Sequence, residues 1–122
     1  MTKEEKELLL KDLCARLPYE VKCLVSFDDG TKRIMTLKTG LPNSFGRWDF
    51  YNENCSGCSN NFKPYLRPMS SMTEEEKAQT RYMNDWECTE WEMCDYLNSR
   101  HLDYRGLIPK GLALEATEDM YN

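Results

Sequence analysis

The sequence predicts one α+β domain over residues 1–122: an N-terminal helix, an antiparallel β-meander of three to five strands, then C-terminal helices and a candidate final strand. Three observations carry that expectation. Apolar residues recur at helical spacing as far as Leu17, then alternate from Val21 to Phe27. A turn signal, Asp28-Asp29-Gly30, separates that stretch from a returning strand. Helical spacing returns after Thr73. A chain of 122 residues, 40% hydrophobic and 11% aromatic, suits a single core.

The elements follow in order. Thr2 and Glu5 have capping-box spacing, in which each side chain satisfies a backbone N–H at the helix start. Leu9, Leu10, Leu13, Cys14 and Leu17 then form one apolar stripe, and Pro18 is expected to close the helix. Val21, Cys23, Val25 and Phe27 alternate with Lys22, Leu24 and Ser26, as on a strand with one buried face. Gly30 is free to take positive φ in the turn, and Thr31 to Thr39 returns as a β-branched strand. Gly40-Leu41-Pro42-Asn43 breaks it, and the aromatic run Arg47 to Tyr51 is a third strand candidate. Asn52 to Asn61 reads as a loop, and Phe62 to Leu66 as a short edge strand, because Pro64 cannot donate to two neighbours.

Thr73-Glu74-Glu75-Glu76 forms a second capping box, opening a helix toward Met83. Asn84 or Asp85 is positioned to cap the next helix, with Trp91, Cys94, Leu97 and His101 on one face. A short helical segment over Gly106 to Lys110 should end at Gly111, and Leu112 to Ala116 should return to the sheet.

Charge and hydropathy narrow the function classes. The net charge of −5 is uneven: residues 1–72 carry 11 basic and 9 acidic side chains, residues 73–122 carry 5 and 12. An acidic surface repels nucleic-acid phosphates and anionic membranes unless a local basic patch intervenes. The longest apolar run, Leu8-Leu9-Leu10, is far short of the roughly 20 residues that span a bilayer. The charged start Met1-Thr2-Lys3-Glu4-Glu5-Lys6 is unlike a secretory signal, so a cytoplasmic protein with reduced thiols and no membrane partner is expected.

Of the six cysteines, Cys14 and Cys23 fit the apolar pattern as small core residues. Cys55 and Cys58 have the spacing at which two thiolates on a flexible loop share one zinc. Cys88 or Cys94 would have to complete the set, with His101 in reserve; on a continuous helix Cys88 and Cys94 point about 120° apart, so one alone contributes. The competing account is a polar loop with two reduced thiols, and no cofactor other than zinc suggests itself. A redox pair would open a helix, which Ser59-Asn60-Asn61 does not resemble.

His101, the only histidine, has Asp103 near it in sequence but no nucleophile, and its phase with Cys94 and Leu97 fits helix-end packing. Glu74, Glu75, Glu76, Glu87, Glu90 and Glu92 sit at helix starts, where the helix dipole accounts for them without chemistry. Lys22, Lys32, Arg33, Lys38 and Arg47 accompany Phe45, Trp48, Phe50 and Tyr51 on the strands. Such a mixture suits nucleotide or single-strand binding, with Lys32, Arg33, Arg47, Trp48 and Tyr51 as contacts, or else the aromatics are core. Tyr65, Trp86, Trp91, Tyr96 and Tyr104 are of the types enriched at protein interfaces. No glycine-rich phosphate loop or nucleophile elbow occurs.

Two segments carry a resemblance. Lys63-Pro64-Tyr65-Leu66-Arg67-Pro68-Met69-Ser70-Ser71-Met72-Thr73-Glu74-Glu75-Glu76 and Asp103-Tyr104-Arg105-Gly106-Leu107-Ile108-Pro109-Lys110-Gly111-Leu112-Ala113-Leu114-Glu115-Ala116, with a start like Leu10-Lys11-Asp12-Leu13-Cys14-Ala15-Arg16-Leu17-Pro18-Tyr19, resemble a family of short uncharacterised proteins. Its members come from gut Bacteroidales genomes, many of them on prophages or other mobile elements. The resemblance brings no activity, cofactor or catalytic residue; it implies a small accessory protein of phage origin. Residues 26–61, where such chains differ from one another, contain Cys55 and Cys58. The function expected is therefore non-enzymatic binding of a protein partner or small ligand. A nucleotide or nucleic-acid surface and a zinc-stabilised module are the alternatives.

Overall fold

The computed structural model describes residues 2–38, 47–59, 61–85, 89–117 and 120–121. The break at Gly40–Asn43, Phe45, Trp86, Glu87 and Cys88 lie outside the described residues.

Helix α1 (Lys3–Arg16) starts on the expected box: Glu5 N donates to Thr2 Oγ1 at 3.1 Å and Thr2 N to Glu5 Oε1 at 2.9 Å. The α-helix does end ahead of Pro18, although Leu17 keeps helical angles, with φ −51° and ψ −43°. The chain runs on through a 3₁₀ turn, Leu17–Tyr19, whose first residues need no intrahelical N–H partner, and stops at Glu20 with φ 57°. The inward stripe also differs in phase. Leu9 and Leu13 are buried as expected, but Cys14 is exposed and is not a core residue. The buried companions are Asp12 and Arg16, both at 0% exposure. Arg16 Nε donates to Asp12 Oδ2 at 2.7 Å and Arg105 Nη1 to Asp12 Oδ1 at 2.8 Å, while Arg16 Nη2 reaches Leu102 O at 2.6 Å. Two cationic partners, one a helical turn away and one 93 residues away, make burial of that carboxylate tolerable.

Strands β1 (Lys22–Ser26) and β2 (Lys32–Leu37) form the expected hairpin, with Cys23 opposite Met35 and both buried. Asp29 Oδ1 accepts from Thr31 N and Oγ1 in the turn. Strand β3 (Trp48–Tyr51) is where the aromatic run placed it, pairing with β2 at Thr36–Tyr51 and Leu37–Phe50.

Two strand expectations fail. The stretch Asn52–Asn61 is not a loop: only Asn52 to Cys55 turns, closed by Asn52 Oδ1 accepting from Asn54 N and Cys55 N, and β4 (Ser56–Ser59) pairs antiparallel with β3. Gly57 belongs there for a packing reason, since a Cβ on it would lie 3.0 Å from a Phe27 ring carbon. Strand β5 (Asn61–Leu66) is not an edge. It lies between β1 and β6 (Leu114–Glu115) in the order β4-β3-β2-β1-β5-β6. Pro64 is tolerated because the parallel partner β6 reaches only Tyr65 and Leu66, leaving Pro64 with β1 alone.

β4 and β5 are separated by one residue in sequence but by three strands in the ladder, so the sheet curls to bring the end of β4 back to the start of β5. Ser59 Oγ donates to Ser26 O across the closure. The interior holds Cys23, Val25, Met35, Leu37, Phe50 and Phe62, with Trp48 and Phe50 ringed on Phe62 at 5.5 and 5.0 Å.

Helix α2 (Glu74–Asp85) starts at the predicted box. Asn84 and Asp85 continue α2 instead of capping its successor; α3 (Glu90–Ser99) is capped by Thr89, whose Oγ1 accepts from Glu92 N at 3.1 Å. The face predicted for α3 is only partly inward: Leu97 is buried, Trp91 is 75% exposed, and His101 stands beyond the helix with φ 60°. Leu107 to Lys110 forms turns and no helix, yet its end is as expected. Gly111 takes φ 75°, its N–H bonds Ile108 O, and Leu112 N bonds Leu107 O, a Schellman closure with both leucines buried. β6 then joins the sheet. No described helix is long and apolar enough to cross a membrane.

Candidate functional site

Beyond the end of β5 the chain opens a cleft of about 490 Å³, bordered by the β5–α2 turn, the end of α3 and the C-terminal segment. Arg67 sets its position. Its N–H donates to His101 O at 2.7 Å and its carbonyl accepts from Asp103 N at 2.8 Å, tying β5 to the chain leaving α3. Its guanidinium turns toward α2 and grips Glu76 with two hydrogen bonds of 2.8 and 2.7 Å, while Nη2 also donates to Ser71 O. Arg100 Nε reaches the same carboxylate at 2.8 Å, and Thr73 N reaches it at 2.9 Å.

Glu76 therefore does more than cap a helix. The Arg67 guanidinium, helped by Thr73 N–H and Arg100, holds its carboxyl well below the usual carboxylate range despite burial. Arg100 uses only Nε on Glu76 among the described residues, and half of its side chain faces solvent in the cleft.

His101 forms the adjoining wall. Its ring stacks on Tyr121 with centroids 3.7 Å apart and planes 11° from parallel. Burial, then Arg16, Arg67 and Arg100, pushes its pKa down to about 4, so the imidazole is neutral at neutral pH, and its buried Nδ1 has no hydrogen-bond partner among the described residues. Tyr121 is pinned by donating to Tyr65 O at 2.6 Å and accepting from Lys22 N at 2.9 Å. Three of the cleft hydroxyls serve the backbone: Ser71 Oγ donates to Pro68 O, Ser99 Oγ donates to Tyr96 O, and Thr73 Oγ1 accepts from Glu76 N.

The residues singled out from sequence fall elsewhere and apart. Alternation places Lys32, Arg47 and Tyr51 on the outer face of the sheet, whereas Arg33 and Trp48 share the side of Met35 and Phe50. Arg47 is paired with Asp28 at 2.8 Å, Arg33 Nη1 lies 3.2 Å from Cys55 Sγ, and Trp48 packs on Phe62. The basic and aromatic group is thus not one surface.

The cysteine pair is also divided. Cys58 sits within β4 opposite Asp49 on the outer face, while Cys55, an odd number of residues away, packs against the core. The loop flexibility that zinc sharing requires is lost to the ladder. Cys94 belongs to α3, and no group of three His, Cys, Asp or Glu side chains able to hold a metal occurs among the described residues.

Sequence reasoning missed Arg67, Arg100 and Tyr121 as site residues. The segments 63–76 and 103–116 supply Arg67, Ser71, Thr73 and Glu115 to the cleft. No protein-family model matches the chain, and no curated protein or solved structure matches it either.

Proposed function

We propose that the protein is a non-enzymatic binding protein that sequesters a ligand by its anionic end, a carboxylate or phosphate, in the Arg67–Arg100–His101 cleft. The observation that carries this reading is the Arg100 guanidinium. Glu76 fixes its Nε edge, leaving the terminal nitrogens to a ligand. A planar fork held in place loses little freedom on binding a planar or tetrahedral anion. His101 adds a neutral hydrogen-bonding ring, and Thr73 marks the N-terminus of α2, where the helix dipole favours negative charge.

The same geometry argues against turnover. An imidazole with a pKa near 4 is a weak base at neutral pH, and three of the hydroxyls lining the cleft are engaged with backbone. The accessory role implied by the family resemblance fits a ligand-sequestering protein.

The test is a thermal-shift and calorimetric screen of inorganic phosphate, nucleoside monophosphates, acetate and dicarboxylates against the native protein and Arg100→Ala. At tenfold above its Kd a ligand should raise Tm by about 4–8 °C. Arg100→Ala should abolish the response while Arg67 keeps Glu76 paired. An equal response in both proteins, or none across the screen, overturns the reading.

A further inference from the structure

The cleft offers a negative charge as well as its arginines. Glu115 lies on the C-terminal border, exposed, and its carboxylate makes no hydrogen bond or ion pair among the described residues. Its backbone is fixed: β6 sets Glu115 level with Leu66, and Ala116 N donates to Leu66 O at 2.8 Å. A strand therefore presents this carboxylate, as the end of α3 presents Arg100 with its Nε edge held by Glu76.

The two groups do not neutralise each other. Arg100 pairs with Glu76 and not with Glu115, so one donor edge and one carboxylate stand open in a single cleft of about 490 Å³. Charge balances over the whole site: Arg67 and Arg100 are offset by Glu76 and Glu115, and His101 is neutral. A site of no net charge that holds unlike charges apart favours a guest built the same way. A dianion would gain at Arg100 and lose at Glu115. Pro68, Ala116 and the Tyr121 ring give the same cleft apolar wall, which suits a short hydrocarbon skeleton joining the two charges.

We infer that the ligand is a small zwitterion, an amino acid or a short peptide, with its carboxylate on Arg100 and its ammonium on Glu115. The inference rests on the cleft being an anion site, and it names the other end of the ligand.

Two matched pairs test it by calorimetry: leucine against isocaproate, which lacks only the amine, and alanyl-alanine against its N-acetyl form. In the native protein the zwitterion of a pair should bind about tenfold tighter, the factor one charge-assisted hydrogen bond gives. Glu115→Gln, at an exposed strand position, should level the pair, and Glu115→Lys should invert it. A preference confined to leucine assigns a free amino acid as the ligand, and one confined to alanyl-alanine a peptide. Equal binding within both pairs, or tighter binding of the amine-free members, overturns the inference; loss of that binding in Arg100→Ala would leave the anion site standing. A zwitterion preference that survives Glu115→Gln overturns it too. So does silence of all these compounds up to about 10 mM, and phosphate and acetate in the same titration then decide the anion site separately.

Discussion

Two carboxylates in this protein are each gripped by two arginines, and their surroundings set them apart. Asp12 with Arg16 and Arg105 is sealed: the side chains of Asp12 and Arg16 are 0% exposed and that of Arg105 15%. Glu76 with Arg67 and Arg100 is equally buried at the carboxylate, but Arg100 is 50% exposed. The sealed cluster joins α1 to the chain after α3, and two of its three guanidinium–carboxylate and carbonyl contacts span 86 and 93 residues. The open cluster joins β5, α2 and the end of α3, and keeps unused donors at a cleft. Closure makes such a pair a structural joint; one open edge leaves the donors that the proposed function assigns to a ligand.

The largest effect expected is at the sealed cluster. Asp12→Ala leaves Arg16 buried without its counter-charge, and denaturant unfolding should register a loss of about 3–5 kcal/mol. A loss under 1 kcal/mol would erase the distinction. Glu76→Gln should cost less, about 2–3 kcal/mol, because Arg100 can turn into water.

The pH dependence should report on the open cluster and on His101 beside it. His101 has a folded pKa near 4, below its unfolded value of about 6.5. The unfolded chain therefore takes up the proton first, and the stability linked to His101 is complete above pH 6.5 and drains away down to about pH 4. Allowing for partial exposure, the loss should be about 1–2 kcal/mol. Glu76, also depressed when folded, contributes above about pH 4.5 and is lost as the pH falls below that. His101→Asn, which keeps a residue tolerant of positive φ, should flatten the upper limb and leave the lower one.

Arg100→Ala should change stability by less than about 1 kcal/mol, since its partner keeps Arg67. The smallest effect belongs to the thiols: strong chelation should move Tm by less than about 1 °C, because Cys58 lies on the outer face of β4 while Cys55, in the turn before it, packs against the core. A larger drop would restore the zinc account.

What was legible in the sequence was local. Thr2 with Glu5, Thr73 with Glu76, the Asp28–Gly30 turn and the Gly111 closure each act within a few residues, so their spacing alone is informative. What was not legible depends on distant partners. Asp12 and Arg16 look like the polar side of α1 until Arg105 and Leu102 arrive. Ser56-Gly57-Cys58-Ser59 has the composition of a loop and becomes a strand because β3 lies beside it and Phe27 needs the space of a glycine. Glu76 satisfied its capping pattern so well that nothing in the local sequence asked for its arginines.

The most direct test follows the arginine Nε–H signals of Arg100 and Arg16 in one NMR titration with the anion that the thermal-shift screen selects. A saturable shift of Arg100 with Arg16 unmoved is the result expected of an open recognition group beside a sealed joint. Equal movement of both, or a fixed Arg100 at saturation, would contradict it.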